Sequence, residues 1–149
     1  MSTNSMIGLL REDGKVDAIY CHWDGYPENN GMILMSHYKD VDKIRQLIAL
    51  GGISSLRERV APDDWEKHSF DKPLEDVVIA YHRDRGEPFH DGERGTWESE
   101  NDYFKKVLSR DFGYIEYAYL FKDGEWYVCP SEDGRPGKVE KVSDVLRKL

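Results

Sequence analysis

Residues 15–23 constrain the fold more than any other stretch of the chain. Their β-branched and aromatic side chains alternate between two faces, and both faces are largely apolar. A strand with two apolar faces is covered on both sides, as in the middle of a sheet. The stretch therefore predicts a central strand, which ends at the turn-forming dipeptides Asp24-Gly25 and Tyr26-Pro27.

Further strands are predicted around two Asp-Gly dipeptides, which are typical of tight β-hairpin turns. Another apolar run, at residues 77–82, predicts a third strand between the hairpins. The two hairpins join residues 6–10 to 15–23 through Asp13-Gly14, and residues 114–121 to 126–129 through Asp123-Gly124.

Amphipathic periodicity predicts helices, two of which begin at the good N-cap residues Asp40 and Ser99. The predicted helices cover residues 32–38, 40–50, 99–110 and 143–149. The sequence thus predicts an α+β fold with a single, mostly antiparallel β-sheet of about five strands, including two hairpins, packed with three or four helices. The Gly-rich and charged residues 83–95 predict a long, mobile loop.

Composition and charge narrow the class of protein. The 149 residues predict one domain, 1–149, with 39% hydrophobic and 34% charged side chains. A formal charge of −8 disfavours direct nucleic-acid binding, and it leaves a basic protein partner and homo-oligomerisation open. The N-terminal residues lack a basic region followed by an apolar run, and no stretch is long enough to span a bilayer. We therefore expect a cytoplasmic protein without a membrane partner, in which Cys21 and Cys129 are buried, reduced thiols.

Several short motifs resemble those of a family of small phage and prophage proteins of unassigned function. The resemblance covers most of the chain and implies a phage-accessory role directed at host defence or host machinery. It implies no catalytic residue and no cofactor. The motifs are Ser2-Thr3-x-Ser5 with Ile7-Gly8, Ile19-Tyr20-Cys21-His22-Trp23-Asp24-Gly25-Tyr26, Asn30-Gly31, His37-Tyr38, Leu47-Ile48-x-Leu50-Gly51-Gly52-Ile53-Ser54-Ser55-Leu56, and Ala80-Tyr81-x-Arg83-Asp84-Arg85-Gly86.

Histidines near carboxylates raise the question of a metal site. The pairs His22-x-Asp24 and His82-x-Asp84 would each lie on one face of a strand, and His90-Asp91 offers the same atom types. Solvated side chains at strand ends give the same pattern, so we predict no metal. A small metal-dependent hydrolase that uses His22, Asp24 and His82 remains the enzymatic alternative.

Aromatic and arginine side chains suggest a ligand site. Tyr81 and Arg83 would share a strand face, and Arg85 follows them. If the central strand lies beside this third strand, Trp23 and Tyr26 would stack on a base while the guanidinium groups bind phosphate. The function predicted first is therefore the sequestration of a nucleotide-type host defence signal. The alternatives are a solvated charge cluster at residues 83–87 and an inhibitor that binds a host defence protein through an acidic or aromatic surface.

Overall fold

The structure is a computed structural model, and it describes residues 2–88 and 94–149. Within these residues the chain forms one nine-stranded sheet and five α-helices. None of the helices in the described part is long and apolar enough to cross a membrane. The strands are β1 (Asn4–Leu10), β2 (Val16–Cys21), β3 (Ile53–Ser55), β4 (Ile79–Ala80), β5 (Arg94–Trp97), β6 (Ile115–Lys122), β7 (Glu125–Glu132), β8 (Arg135–Pro136) and β9 (Glu140–Lys141). The helices are α1 (Met32–His37), α2 (Val41–Ala49), α3 (Tyr81–Arg85), α4 (Glu100–Val107) and α5 (Val142–Arg147), and a π-helical turn at Pro27–Gly31 precedes α1.

The predicted fold class is wrong about the sheet and the helix count. The described residues contain nine strands instead of about five, and five α-helices instead of three or four. The sheet is mixed, because β1 pairs with β6 and β2 pairs with β3 in parallel, whereas the other named strand pairs are antiparallel. Strands β3, β4, β8 and β9 have only two or three residues each. Strands of two or three residues are too short to show alternation, so a sequence pattern does not give their bounds.

The predicted third strand is also wrong for most of its length. Of its residues, 79–80 form β4 and Val77 makes an isolated parallel β-bridge with Arg59, but the chain turns into α3 at Tyr81. The Asp84 carboxylate accepts a 2.8 Å hydrogen bond from the Ala80 amide, and Gly86 ends the helix with a φ of 74°. The predicted loop at 83–95 therefore begins within α3 and ends within β5, and its residues 89–93 lie outside the described residues.

The sheet has an apolar core on each face, as the two apolar faces of β2 predict. One face packs against α1, α2 and α5, and the other packs against α4. The central strand contributes to both cores, with Ile19 and Cys21 on the first face and Val16 and Ala18 on the second. The sheet order is β4-β3-β2-β1-β6-β7-β8, with β5 also paired to β2 and β9 to β7.

The chain leaves β2 and β4 in opposite directions. Strand β3 lies between them, parallel to β2 and antiparallel to β4. The Trp23 amide donates a hydrogen bond to the Ser54 carbonyl, so the chain after β2 continues beside the later part of β3. The Tyr81 amide donates to the Gly52 carbonyl, which precedes β3. The residues after β2 and those of α3 therefore lie toward opposite ends of this part of the sheet.

Candidate functional site

Residues 22–28 after β2 form a turn that we call the aromatic turn, because two of its side chains are exposed rings. Its main chain is packed against β1. A Cβ on Gly25 would lie 2.8 Å from both the Ser5 Cβ and the Thr3 carbonyl oxygen, so only glycine fits there without a shift. The Gly25 amide donates a 2.8 Å hydrogen bond to the same Thr3 oxygen. The turn therefore has a well-defined backbone although it lies at the surface.

The outer side of the aromatic turn combines rings with negative charge. Trp23 is 42% exposed and Tyr26 is 36% exposed. The Tyr26 hydroxyl donates a 3.3 Å hydrogen bond to the Asp24 carboxylate. The charge of Asp24, with a smaller contribution from Glu28, raises the pKa of Tyr26 above its usual value. We call these four side chains, Trp23, Asp24, Tyr26 and Glu28, the aromatic–acidic surface.

The inner side of the same region is a buried polar cluster. Asn30 is fully buried, and its Nδ2 donates to Ser5 Oγ at 3.3 Å and to Cys21 Sγ at 3.4 Å. Asn29 Nδ2 donates to Asn30 Oδ1 at 3.1 Å. Burial raises the pKa of the Cys21 thiol to about 11, and it does the same for Cys129. Both cysteines are free and buried, as predicted, and thiols in this state are poor nucleophiles.

His22 connects the central strand to the exposed indole. Its Nδ1 lies 2.7 Å from the Tyr20 hydroxyl, and its ring meets the Trp23 ring edge to face at 4.7 Å between centroids. Edge-to-face contacts of this kind are favourable and orient the two rings. His22 therefore orients the Trp23 ring, and its Nδ1 is already engaged by the Tyr20 hydroxyl.

The candidate metal ligands are not brought together. His22 and Asp24 belong to the aromatic turn, whereas His82 lies in α3 and its Nδ1 contacts the Glu87 carbonyl oxygen. No group of three or more His, Cys, Asp or Glu side chains in residues 2–88 and 94–149 could hold a metal ion. The His90-Asp91 pair lies outside the described residues. A hydrolase that uses His22, Asp24 and His82 as one metal site is therefore not supported by their positions.

The Arg83 side chain forms hydrogen bonds within the fold. Its guanidinium donates to the Val60 carbonyl at 2.5 Å and to the Val78 carbonyl at 2.6 Å. The same group donates to both oxygens of Asp84, at 2.8 and 3.0 Å. The side chain is only 25% exposed. Because four hydrogen bonds engage it, Arg83 has little capacity left for a phosphate.

The carboxylate of Asp84 is the centre of this interior network. Its side chain is 4% exposed and accepts from Arg83, from the Ala80 amide and from His68 Nε2 at 3.1 Å. Burial alone would raise the pKa of Asp84, but the hydrogen bonds from Arg83 and the Ala80 amide outweigh burial and lower it. His68 Nδ1 in turn accepts from the Leu74 amide at 3.0 Å, so its ring proton lies on Nε2. Sequence reasoning did not single out His68, because its partners lie 6 to 16 residues away.

Tyr81 and Arg85 do lie together, beside a ring that sequence reasoning missed. The Arg85 Cζ lies 4.4 Å from the centroid of Phe70 and 5.3 Å from that of Tyr81, and the two rings are 5.8 Å apart. Arg85 also donates a 2.8 Å hydrogen bond to Glu87. This cation–π cluster packs α3 against residue 70 of the preceding segment, and 47% of the Arg85 side chain remains exposed.

The five predicted ligand residues therefore fall into two groups. Trp23 and Tyr26 lie on the aromatic turn, and Tyr81, Arg83 and Arg85 lie on α3, toward the other end of the β2–β3–β4 part of the sheet. The described thiols and the His68–Asp84 pair are buried in the fold. The exposed side chains of the aromatic turn and of α3 are therefore the ones that a partner could contact. Searches against protein-family models, curated proteins and solved structures each found no match for the chain.

Proposed function

We propose that this chain is a non-enzymatic, phage-derived accessory protein that binds a host defence protein through the aromatic–acidic surface. The exposed indole of Trp23 is the observation that supports this function most. It projects from a turn whose backbone is fixed on β1, and His22 orients it. Exposed aromatic rings on a rigid backbone suit binding, because little conformational entropy is lost on association. The phage setting rests on the resemblance of the sequence motifs.

The charge of this surface specifies the chemistry of the partner. Asp24 and Glu28 lie close enough to Tyr26 to shift the pKa of its hydroxyl, and the whole chain carries a formal charge of −8. A partner surface with Lys or Arg beside an apolar pocket would complement both the carboxylates and the rings. We therefore propose a basic contact surface on the host protein, with Trp23 as the central anchor.

Capture of a nucleotide-type defence signal is the second candidate function. The Phe70–Tyr81–Arg85 cluster favours it, since rings and a half-exposed guanidinium can bind a base and a phosphate. The pocket that was predicted from the sequence also needed Arg83, Trp23 and Tyr26. Arg83 is engaged by main-chain carbonyls and Asp84, and the aromatic turn and α3 leave the sheet in opposite directions. The protein partner therefore has more support.

Affinity capture with matched variants tests the proposed function. The parent protein, Trp23→Ala, Tyr26→Ala and the control Tyr114→Ala would be immobilised, and the retained host proteins would be quantified by mass spectrometry. Tyr114 is 90% exposed and does not belong to the aromatic turn, so its loss controls for the removal of any exposed ring. We expect a host protein that the parent and Tyr114→Ala retain and that both turn variants lose.

Calorimetric titration of that purified host protein gives the decisive measurement. Trp23→Ala should weaken binding by about 2 kcal/mol or more, as is usual for a central aromatic anchor. Asp24→Asn with Glu28→Gln should make the affinity less sensitive to salt, because two partners of the basic surface are neutralised. Equal binding by the parent and the folded Trp23→Ala variant would contradict the proposal. A thermal shift with nucleotides that Arg85→Ala abolishes would support the second candidate instead.

A further inference from the structure

An open groove rich in cations lies at the edge of the sheet, where β9 pairs with β7 and leads directly into α5. Its volume is about 710 Å³. None of its lining residues belongs to the aromatic turn or to α3. The cations and the aromatic ring that line it are Lys122, Tyr127, Lys138, Lys141, Arg147 and Lys148.

The fold brings these cations together from three elements. The β7–β9 register places Lys141 opposite Tyr127, and the Lys122 Nζ at the end of β6 lies 4.9 Å from the centre of the Tyr127 ring. Helix α5 begins at the residue after Lys141 and carries Arg147 in its last turn. Lys122 and Lys141 thus meet at the Tyr127 ring, and the other cations line the same groove.

Four of these cations already have acidic partners. Lys122 pairs with Glu100, Lys141 with Glu125, Lys148 with Glu140 and Arg147 with Asp144, at 2.6 to 3.3 Å. Lys138 has a weaker link to a carboxylate, an electrostatic interaction with Glu140. Partly exposed ion pairs of this kind contribute little stability, so a stronger anion can replace the carboxylates at small cost.

The balance of charge in the groove is opposite to that of the chain. Five cationic and two acidic side chains line it, whereas the chain as a whole carries a formal charge of −8. The two acidic ones are Glu140 and Asp144. When Glu100 and Glu125, the partners of Lys122 and Lys141, are counted with the lining, five cations face four carboxylates, and the groove keeps a small positive excess that favours an anion.

From this arrangement we infer that the groove is a binding site for a small oligophosphate, a ligand with at least two linked phosphoryl groups. Lys138 and Lys141 act as point charges on the phosphoryl oxygens, and the Arg147 guanidinium binds two oxygens of one group. Five cations line the groove, so a ligand with linked phosphoryl groups can contact more of them than a single phosphate can. This site is independent of the aromatic–acidic surface and of the function proposed for it.

Titration with pyrophosphate tests the site directly. Binding would be measured by calorimetry, and its location by amide chemical shifts in ¹H–¹⁵N spectra of the intact chain. The shifts should concentrate in residues 122–148, and the affinity should fall as ionic strength rises. The double variant Lys138→Glu with Arg147→Glu should bind pyrophosphate at least about tenfold more weakly.

The matched control is Lys39→Glu with Lys67→Glu, which changes the net charge by the same amount at exposed lysines outside the groove. It should bind pyrophosphate like the parent, and Asp144→Asn should bind it more tightly, because a lining carboxylate is removed. If the groove variant melts early, Lys138→Gln with Arg147→Gln replaces it and should show a smaller loss in the same direction. Equal weakening in groove and control variants, or amide shifts outside residues 122–148, would overturn the site.

Discussion

The Tyr119 hydroxyl donates a 2.6 Å hydrogen bond to the carbonyl oxygen of Gly25, which lies 94 residues earlier in the chain. Tyr119 is fully buried in β6, so this bond fastens the aromatic turn to the centre of the sheet. The turn is therefore supported from β6 through Tyr119 and, just before β1, through the hydrogen bond between Gly25 and Thr3.

Tyr119→Phe should destabilise the protein and loosen the turn. The substitution leaves the buried Gly25 carbonyl without its donor, which costs about 1 to 3 kcal/mol of unfolding free energy. Urea denaturation measures this loss. Tyr114→Phe is the control, since Tyr114 is 90% exposed and the same change there should leave stability unchanged. A Tyr119→Phe midpoint equal to that of the parent would show that the hydrogen bond contributes nothing.

Arg83→Ala and Arg85→Ala should differ in stability. Arg83→Ala removes the side-chain donor to the Val60 and Val78 carbonyls and the cation that is paired with the buried Asp84 carboxylate, so we expect a loss of about 3 kcal/mol. Arg85→Ala removes an exposed cation–π contact and an ion pair with Glu87, and should cost about 1 kcal/mol. Urea denaturation of both variants measures the difference, and equal losses would remove Arg83 from the interior network.

The contribution of Asp84 should depend on pH. Its pKa in the folded protein is lower than the value of about 3.9 expected in the unfolded chain. The unfolded state therefore binds the proton first as pH falls, so the stabilisation is fully present above about pH 5 and is lost as pH falls through the folded pKa. Asp84→Asn should be less stable than the parent at pH 7, and the difference in unfolding free energy between the two should narrow below about pH 4. Urea denaturation of both proteins across this pH range measures the difference, and a difference that does not change with pH would contradict the prediction.

The two tryptophans Trp23 and Trp126 should behave in opposite ways on replacement by alanine. Trp126 is 4% exposed, and its indole donates a 2.8 Å hydrogen bond to the Tyr38 carbonyl. Its loss should cost about 3 to 5 kcal/mol. Trp23→Ala should cost about 1 kcal/mol or less, because the indole is 42% exposed. Thermal melts of the two variants compare them, and a large loss for Trp23→Ala would mean that the ring serves folding and not contact.

Local signals in the sequence predicted the local elements well. Asp40 and Ser99 cap their helices with side-chain hydrogen bonds to the amides of Asp42 and Asp102. At the second hairpin, Asp123 and Gly124 both have positive φ, at 51° and 77°, as tight hairpin turns require. Neighbouring residues alone determine these features, so one sequence is enough to predict them.

The pairing of distant strands could not be predicted in the same way. No local pattern indicates that β1 pairs in parallel with β6, or that the short strands β3 and β8 exist. One residue of the sequence is typical of a helix at α3, namely Gly86, which ends the helix with a φ of 74°.

The same limit applies to the candidate site. The exposed rings of the aromatic turn were predicted from the position of Trp23 and Tyr26 at a strand end, and both are exposed. The sequence predicts Arg83 as a phosphate ligand, whereas in the structure its guanidinium donates to the main-chain carbonyls of Val60 and Val78. Every residue has such a carbonyl, so side-chain chemistry could not identify the ones that Arg83 contacts.

The parallel pairing of β1 with β6 has a consequence for the order of synthesis. The register joins Met6 to Ala118, so the first strand leaves the ribosome long before its partner has been translated. One edge of the β1–β2 hairpin stays open until β6 emerges, and such long-range closure slows folding. In a nascent chain, the central strands therefore pair completely only after more than a hundred further residues have been added to β1.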